Sequence, residues 1–202
     1  MLTLAIDTCL PACSAALAFD DGSVLARSEE IGVGHAEHLG GLVADLLREA
    51  GVQPSQIRRL ASTVGPGSFM GVRVGLSFAK GFAFAHGADT VAFTTMEALW
   101  LSLPGETHGY AVLDARRGQV YLQGFGDCAH APSVLDIEMA RDLATGGAMI
   151  GSGASLLGRK AGSDVILPDI GQLAHAAQTR SPSALVPVYL RAPVATPTPR
   201  RA

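Results

Sequence analysis

Gly65-Pro66-Gly67-Ser68-Phe69-Met70-Gly71-Val72-Arg73-Val74-Gly75 is the segment around which the rest of this chain must be arranged. It is a Gly/Pro loop running straight into an apolar segment that holds four of the seven phenylalanines: Phe69, Phe78, Phe82 and Phe84. Glycines at 65 and 67 admit a tight turn with positive φ, and Pro66 fixes φ between them. The spacing predicts a helix over 70–86, apolar nearly all the way round and interrupted only by Arg73, Ser77 and Lys80. Such a helix is buried on more than one side. One side can be the chain's own sheet; the other needs a second covering layer or a partner. The small residues Gly71, Gly75, Ser77, Ala79, Gly81, Ala83 and Ala85 would let another backbone come close. The segment reads as an interface helix first and a catalytic element second.

Upstream, Leu2–Ile6 suits a strand buried on both faces. Cys13–Phe19 predicts a second strand. Asp20-Asp21-Gly22 is a hairpin signal leading to a third, Ser23–Glu30. Leu39, Leu42, Val43, Leu46 and Leu47 recur at three- and four-residue spacing, which predicts a helix over 35–50 closed by Gly51. A strand over 60–64 leads into the Gly/Pro loop; a strand over 90–93 and a helix over 95–103, capped by Thr94 or Thr95, follow. The order βββαβαβα is that of one half of the actin/Hsp70-type ATPase fold, the ribonuclease-H-like unit. The fold class is therefore α/β with one complete lobe, residues 1–103, and a second, abbreviated lobe, residues 104–191. Pro104-Gly105-Glu106 marks the boundary. The second part predicts a hairpin of 110–114 and 119–125, a weak helix near 137–144, a strand near 148–151 and a helix over 170–178. Residues 192–202, with three prolines and Arg200-Arg201, predict a disordered tail.

The 202 residues can bury a real core. A net charge of −3 supplies no basic field to hold a nucleic acid unaided. Mean hydropathy is positive, at +0.29, yet Lys80 interrupts the best candidate span. Asp7 follows the N-terminal methionine too soon for a signal peptide. Low charge in such an apolar chain suggests that another subunit covers part of its surface. Cys9, Cys13 and Cys128 lack C-x-x-C spacing; they read as reduced thiols in a cytosolic setting, although Cys9 and Cys13 could face each other across a turn.

Several motifs have both a functional and a structural reading. The Gly/Pro loop could hold phosphate at a helix N-terminus, but it is no Walker A loop and tight packing explains its glycines as well. Asp7-Thr8 stands where actin-like ATPases hold a metal-bound water. The glycine-rich turn they use is here Cys9-Leu10-Pro11-Ala12, without a glycine and with a proline removing a donor. Asp7 capping a turn is the structural reading. His35 and His38, at i and i+3, could ligate a metal but lack a third ligand, so a position facing solvent or a partner is expected. Arg116 and Arg117, at a hairpin tip, could meet phosphate or a partner carboxylate, or simply be solvated.

Taken together, Ala5-Ile6-Asp7-Thr8 with Ala12-Cys13-Ser14, His35 heading a leucine-rich helix, the Gly65–Gly75 segment, Asp114-Ala115-Arg116 with Val120-Tyr121, and Pro187-Val188-Tyr189-Leu190-Arg191 resemble the TsaB (YeaZ) family. That family is the bacterial partner protein in synthesis of N6-threonylcarbamoyladenosine (t6A) at position 37 of tRNA. The resemblance is good from Leu4 to about Phe125 and loose over 126–186; the family commonly has Thr where this chain has Met70. It implies a cytoplasmic, non-catalytic scaffold or activating subunit without cofactor, metal or catalytic residue. Such a subunit homodimerises alone and docks onto TsaD, with TsaE joining a larger assembly and tRNA met only indirectly, through Arg116 and Arg117 if at all. The partner or dimer interface is expected at His35, Leu39, Leu42, Leu46, Phe69, Met70, Gly71, Val74, Gly75, Phe78 and Phe82, with Asp7 and Thr8 vestigial to nucleotide binding. The alternatives are an autonomous actin-like ATPase or small-molecule kinase using Asp7 and the Gly65–Gly71 loop, and a metallopeptidase, for which no ligand set is visible.

Overall fold

The structure, a computed structural model, describes residues 1–159 and 166–191. The expected tail, with Arg200 and Arg201, lies outside the described residues. Strands β1 (Thr3–Asp7), β2 (Ala12–Ala18) and β3 (Val24–Glu30) form an antiparallel meander, and β4 (Arg59–Thr63) and β5 (Asp89–Phe93) add in parallel beside β1, giving the order β3-β2-β1-β4-β5. With the helices between them, this is the complete ribonuclease-H-like unit of the actin/Hsp70 fold class. A second, smaller sheet has the order β8-β7-β6-β9, built from β6 (Gly109–Arg116), β7 (Gln119–Phe125), β8 (His130–Asp136) and β9 (Ala148–Ile150).

The central strands β2, β1 and β4 of the first sheet are buried on both faces, β3 is an exposed edge, and the two faces differ in bulk. Leu4, Ile6, Leu17 and Leu60 point towards helices α1 (His35–Glu49) and α2 (Phe69–His86). The alternating residues Ala5, Ala16, Ala18 and Ala61 form a thin face on which α5 (Ile170–Thr179) lies through Leu173, Ala174 and Ala177. Alanine on a strand removes the bulk that would hold a helix away, and the period-2 alternation keeps the two faces separate. This changes one sequence expectation: α5 falls within 104–191, yet it packs on the first sheet, because that alanine face needs a cover.

Helix α3 (Thr95–Trp100) joins the two sheets. Thr94 caps it with a reciprocal Thr94–Glu97 capping box. It ends earlier than expected, because Ser102 and Leu103 bond back to Leu99 and Trp100 in i→i+3 turns ahead of Pro104-Gly105. Its Met96 and Leu99 are buried with Ala111, Leu113 and Ile150 of the second sheet, and Trp100 stacks on Phe125 at 4.8 Å. Strand β8 was not anticipated. It is a half-exposed edge strand containing Pro132, so it lacks both the burial and the alternation by which strands are recognised. Helix α4 (Ile137–Leu143) covers part of the second sheet.

Candidate functional site

Asp7 ends β1 beside the Gly65–Ser68 loop, and it is 1% exposed. Its Oδ1 accepts hydrogen bonds from the Cys9 backbone N–H, at 3.0 Å, and from the Thr63 hydroxyl. Its Oδ2 is buried with no partner. Burial raises the Asp7 carboxyl above the ordinary carboxylate range, against the bonds from Thr63 and Cys9 and the charge of His35. Burial, with the Asp7 carboxylate second, pushes the Cys9 thiol up to about 12. All three thiols are free.

The Gly/Pro loop lies directly on this turn. Ser68 N–H donates to the Cys9 carbonyl at 2.8 Å, and a Cβ at Gly67 would overlap that same carbonyl. Thr8 Oγ1 donates to the Gly71 carbonyl at 2.7 Å, and a Cβ at Gly71 would overlap the Thr8 carbonyl. Gly65 does have positive φ (98°); Gly67 does not, and its glycine is required by close approach instead. The N–H groups of Ser68 and Gly71, candidates for a phosphate, are already bonded within the chain. A cleft of about 630 Å³ between the sheets is lined by Cys9, Leu10, Pro11, Ser68, Asp114 and Arg116 among others, but Asp7 is not on its wall. A carboxyl held towards its neutral form and sealed from the cleft is poorly placed to act as a base or cation ligand.

His35 also departs from expectation. It is buried, 8% exposed, with Nε2 3.0 Å from the Leu10 carbonyl, so its ring is held by the chain's own backbone; its neighbour on the helix, His38, is exposed. Among the described residues no group of three His, Cys, Asp or Glu side chains could hold a metal ion. Arg116 and Arg117 take positive φ (62° and 56°) at the β6–β7 tip, where Asp114 accepts from the Arg116 backbone and pairs with its guanidinium at 3.0 Å. Both arginines are exposed.

Helix α2 presents two faces. Gly71, Gly75, Ala79 and Ala83 recur every four residues and face the chain's own core. Met70, Val74, Ser77, Gly81 and Phe84 follow the 4-3-4-3 spacing of a heptad seam, and they form an outward stripe. Met70 is 63% and Phe84 93% exposed. Alongside, α1 presents Ala36, Gly40, Gly41 and Ala44. A groove of about 380 Å³ between the helices is lined by Ala36, Leu39, Met70, Val74 and Phe78. Cβ atoms at Gly40, Gly41 and Gly81 would meet nothing within 4 Å. Each helical glycine costs roughly 1 kcal/mol relative to alanine, and nothing among the described residues requires these three.

The structure thus divides the expected interface. Leu39, Leu42 and Leu46 are core residues, and His35 and Gly75 pack inward; Leu39 still reaches the groove between the helices, and His35 and Gly71 line the pocket at its N-terminal end. Phe69, Met70, Val74, Phe78 and Phe82 stay at or near the surface. The expected interface set lacks Ala36, Gly40 and Phe84, and Gly81 enters the sequence analysis only as one of seven small residues; the second heptad stripe along α2 is the signal that singles out Gly81 and Phe84. Asp7 and Thr8 are both buried and engaged.

Comparison with known proteins bears on this arrangement. The family model described as TsaD, tRNA N6-adenosine threonylcarbamoyltransferase, matches residues 29–178. The tRNA threonylcarbamoyladenosine biosynthesis protein TsaB of Escherichia coli strain K12 is 38% identical over 125 residues, 60% of this chain and 53% of that protein. Its Haemophilus influenzae counterpart is 32% identical over 121 residues, 58% of this chain and 51% of that protein. The chain spans about half the length of these curated relatives. The solved structure of YeaZ from Pseudomonas aeruginosa superposes with a TM-score of 0.78 at 29% identity, covering 94% of this chain and 99% of that one.

Proposed function

We propose a function from one premise: the chain belongs to the TsaD family and, within it, to the TsaB/YeaZ proteins of tRNA threonylcarbamoyladenosine biosynthesis. It is a non-catalytic scaffold or activating subunit of the transferase complex that forms t6A at position 37 of tRNA. It docks a TsaD-type transferase through the outer face of α1 and α2. The observation that carries this reading is the outward stripe Met70, Val74, Ser77, Gly81 and Phe84 beside Gly40 and Ala44. Heptad spacing with a bare glycine is what a partner helix needs in order to come close. A TsaD-type chain is the favoured occupant because the same family model describes both, so each has an equivalent helix pair to offer.

The sealed Asp7 supports the non-catalytic part of the reading. In the absence of the transferase, a second copy takes the same face and the chain homodimerises; TsaE joins the larger assembly. Arg116 and Arg117, exposed at the β6–β7 tip, touch tRNA only as auxiliaries to a partner's surface. The protein works in the cytoplasm; among the described residues no helix is long and apolar enough to cross a membrane.

The test is gel filtration with light scattering, for the chain alone and mixed with TsaD from the same organism. The expected result is a dimer that exchanges into a mixed complex, and loss of both species in Phe84→Asp with its circular dichroism unchanged. A folded Phe84→Asp that still forms both complexes removes this face as the contact.

A further inference from the structure

The last described segment ties parts of the molecule that are distant in sequence. After α5 the chain runs along the free edge of β5, where Ser183 N–H donates to the Thr90 carbonyl at 2.7 Å and Ser183 Oγ accepts from Ala92 N–H at 2.9 Å. Leu185 is buried in the first core. Val188 N–H then donates to the Val64 carbonyl at 2.7 Å, where β4 gives way to the Gly/Pro loop. Its carbonyl passes so close to Gly65 that a Cβ there would lie 2.8 Å away, which, with φ of 98°, leaves position 65 to glycine.

Beyond this crossing the segment joins the two sheets. Tyr189 packs on Phe69, the first residue of α2, with ring centroids 5.1 Å apart. The Phe69 ring also carries the Arg73 guanidinium, 3.7 Å from its centroid. Arg73 lines the groove between α1 and α2. Two residues after Tyr189, Arg191 donates to the Ala115 carbonyl at 2.7 Å and to Gln119 Oε1, on the two strands of the hairpin at the centre of the second sheet. The hairpin is gripped at one end of this short stretch, and the root of α2 at the other.

We propose that residues 183–191 form a clasp through which the second sheet's hairpin sets the first turn of α2, and with it the placement of Arg73 in the helix groove. Arg191 and Tyr189 are positioning residues: neither lines that groove. The clasp gives the second sheet a part in docking, which α1 and α2 alone would not. That consequence rests on the docking reading above, whereas the clasp itself is tested on the isolated protein.

The experiment is backbone hydrogen exchange on the full chain, with wild type, Arg191→Met, Tyr189→Ala and Tyr189→Phe compared. Arg191→Met removes bonds to the hairpin only. It is expected to raise exchange about tenfold at the hairpin tip, residues 114–120, and also at Gly71–Arg73, relative to the β1 and β4 amides. Tyr189→Ala acts from the other end and should raise both regions; Tyr189→Phe keeps the ring contact and should match wild type. Confinement of the Arg191→Met effect to the hairpin overturns the clasp. Should Arg191→Met loosen the whole fold, Tyr189→Ala is decisive: an effect confined to Gly71–Arg73 overturns the proposal equally. A failure of docking to TsaD would leave these exchange patterns untouched, so the two readings fail separately.

Discussion

Replacing Gly81 and Gly75 by leucine, in turn, separates the two faces of α2. The residues lie on one helix, six positions apart, and they have opposite surroundings. A Cβ at Gly81 meets nothing within 4 Å, so leucine there removes a helical glycine at no steric cost and should stabilise the fold by about 0.8 kcal/mol. A Cβ at Gly75 would stand 2.6 Å from Thr8 Oγ1, with Ser62 Oγ next at 3.7 Å. Thr8 is 1% exposed and donates to the Gly71 carbonyl at 2.7 Å, so leucine must break that bond or push the helix off β1. Overpacking of this kind costs about 1–3 kcal/mol and a buried bond left unmade about 1–3 more, for a combined loss of roughly 2–6 kcal/mol. Urea denaturation followed by circular dichroism reads both values by linear extrapolation. Binding to TsaD, by calorimetry, should then fall at least tenfold for Gly81→Leu, even though its fold is firmer. Gly75→Leu is no clean interface probe, since its loss of binding would follow from loss of structure. The reasoning fails if Gly75→Leu is as stable as wild type, or if a stabilised Gly81→Leu binds TsaD unchanged.

Asp7→Asn bears on the sealed carboxyl. The folded-state pKa of Asp7 is raised by burial, so its favourable contribution is fully present below the unfolded value, about pH 4, and is lost as pH rises through the raised folded value. Asparagine cannot ionise; its stability relative to wild type should therefore rise with pH across that window, and parallel denaturation curves from pH 4 to 9 would contradict the assignment. Arg59→Met tests the anchor of α5. Arg59 is 8% exposed, and the two hydrogens of its Nη1 are shared among the carbonyls of Ala177, Gln178 and Arg180, at 2.6, 3.0 and 2.7 Å, satisfying the helix C-terminus with a cation. The loss should be about 2–4 kcal/mol, with faster hydrogen exchange over 176–180; a change within 0.5 kcal/mol would show that solvent replaces those bonds.

Much of this architecture is legible in the residues, because strong local signals coincide with burial. The leucine stripe of α1, the Asp20-Asp21-Gly22 hairpin and the Gly/Pro loop each specify one local geometry, and their order specifies the sheet. Strand β8 escaped because an edge strand carrying Pro132 need not be apolar or alternating. The assignment of α5 escaped because a run such as Leu173, Ala174 and Ala177 announces that it will be buried, but not against which sheet. Asp7 is a related case. A carboxylate at a strand end reads the same whether it lines a cleft or lies beneath a loop, and the close fit of Gly67 over the Cys9 carbonyl makes the difference.

The periodicities of 2 and 3.6, the turn residues and the capping box of Thr94 are properties of neighbours in sequence, and from them the α/β class, most elements and the two-sided character of α2 can be read directly. Which side of α2 meets its own sheet is a property of the packed chain. Gly71 and Gly81 look alike in a sequence; one lies against Thr8 and the other has open space beside it, because a helix turns through 100° per residue and only its docking on β4 and the turn after β1 fixes the phase. The clasp of 183–191 likewise exists only once Val64, Phe69 and Ala115 stand close enough for one short stretch of chain to reach all three.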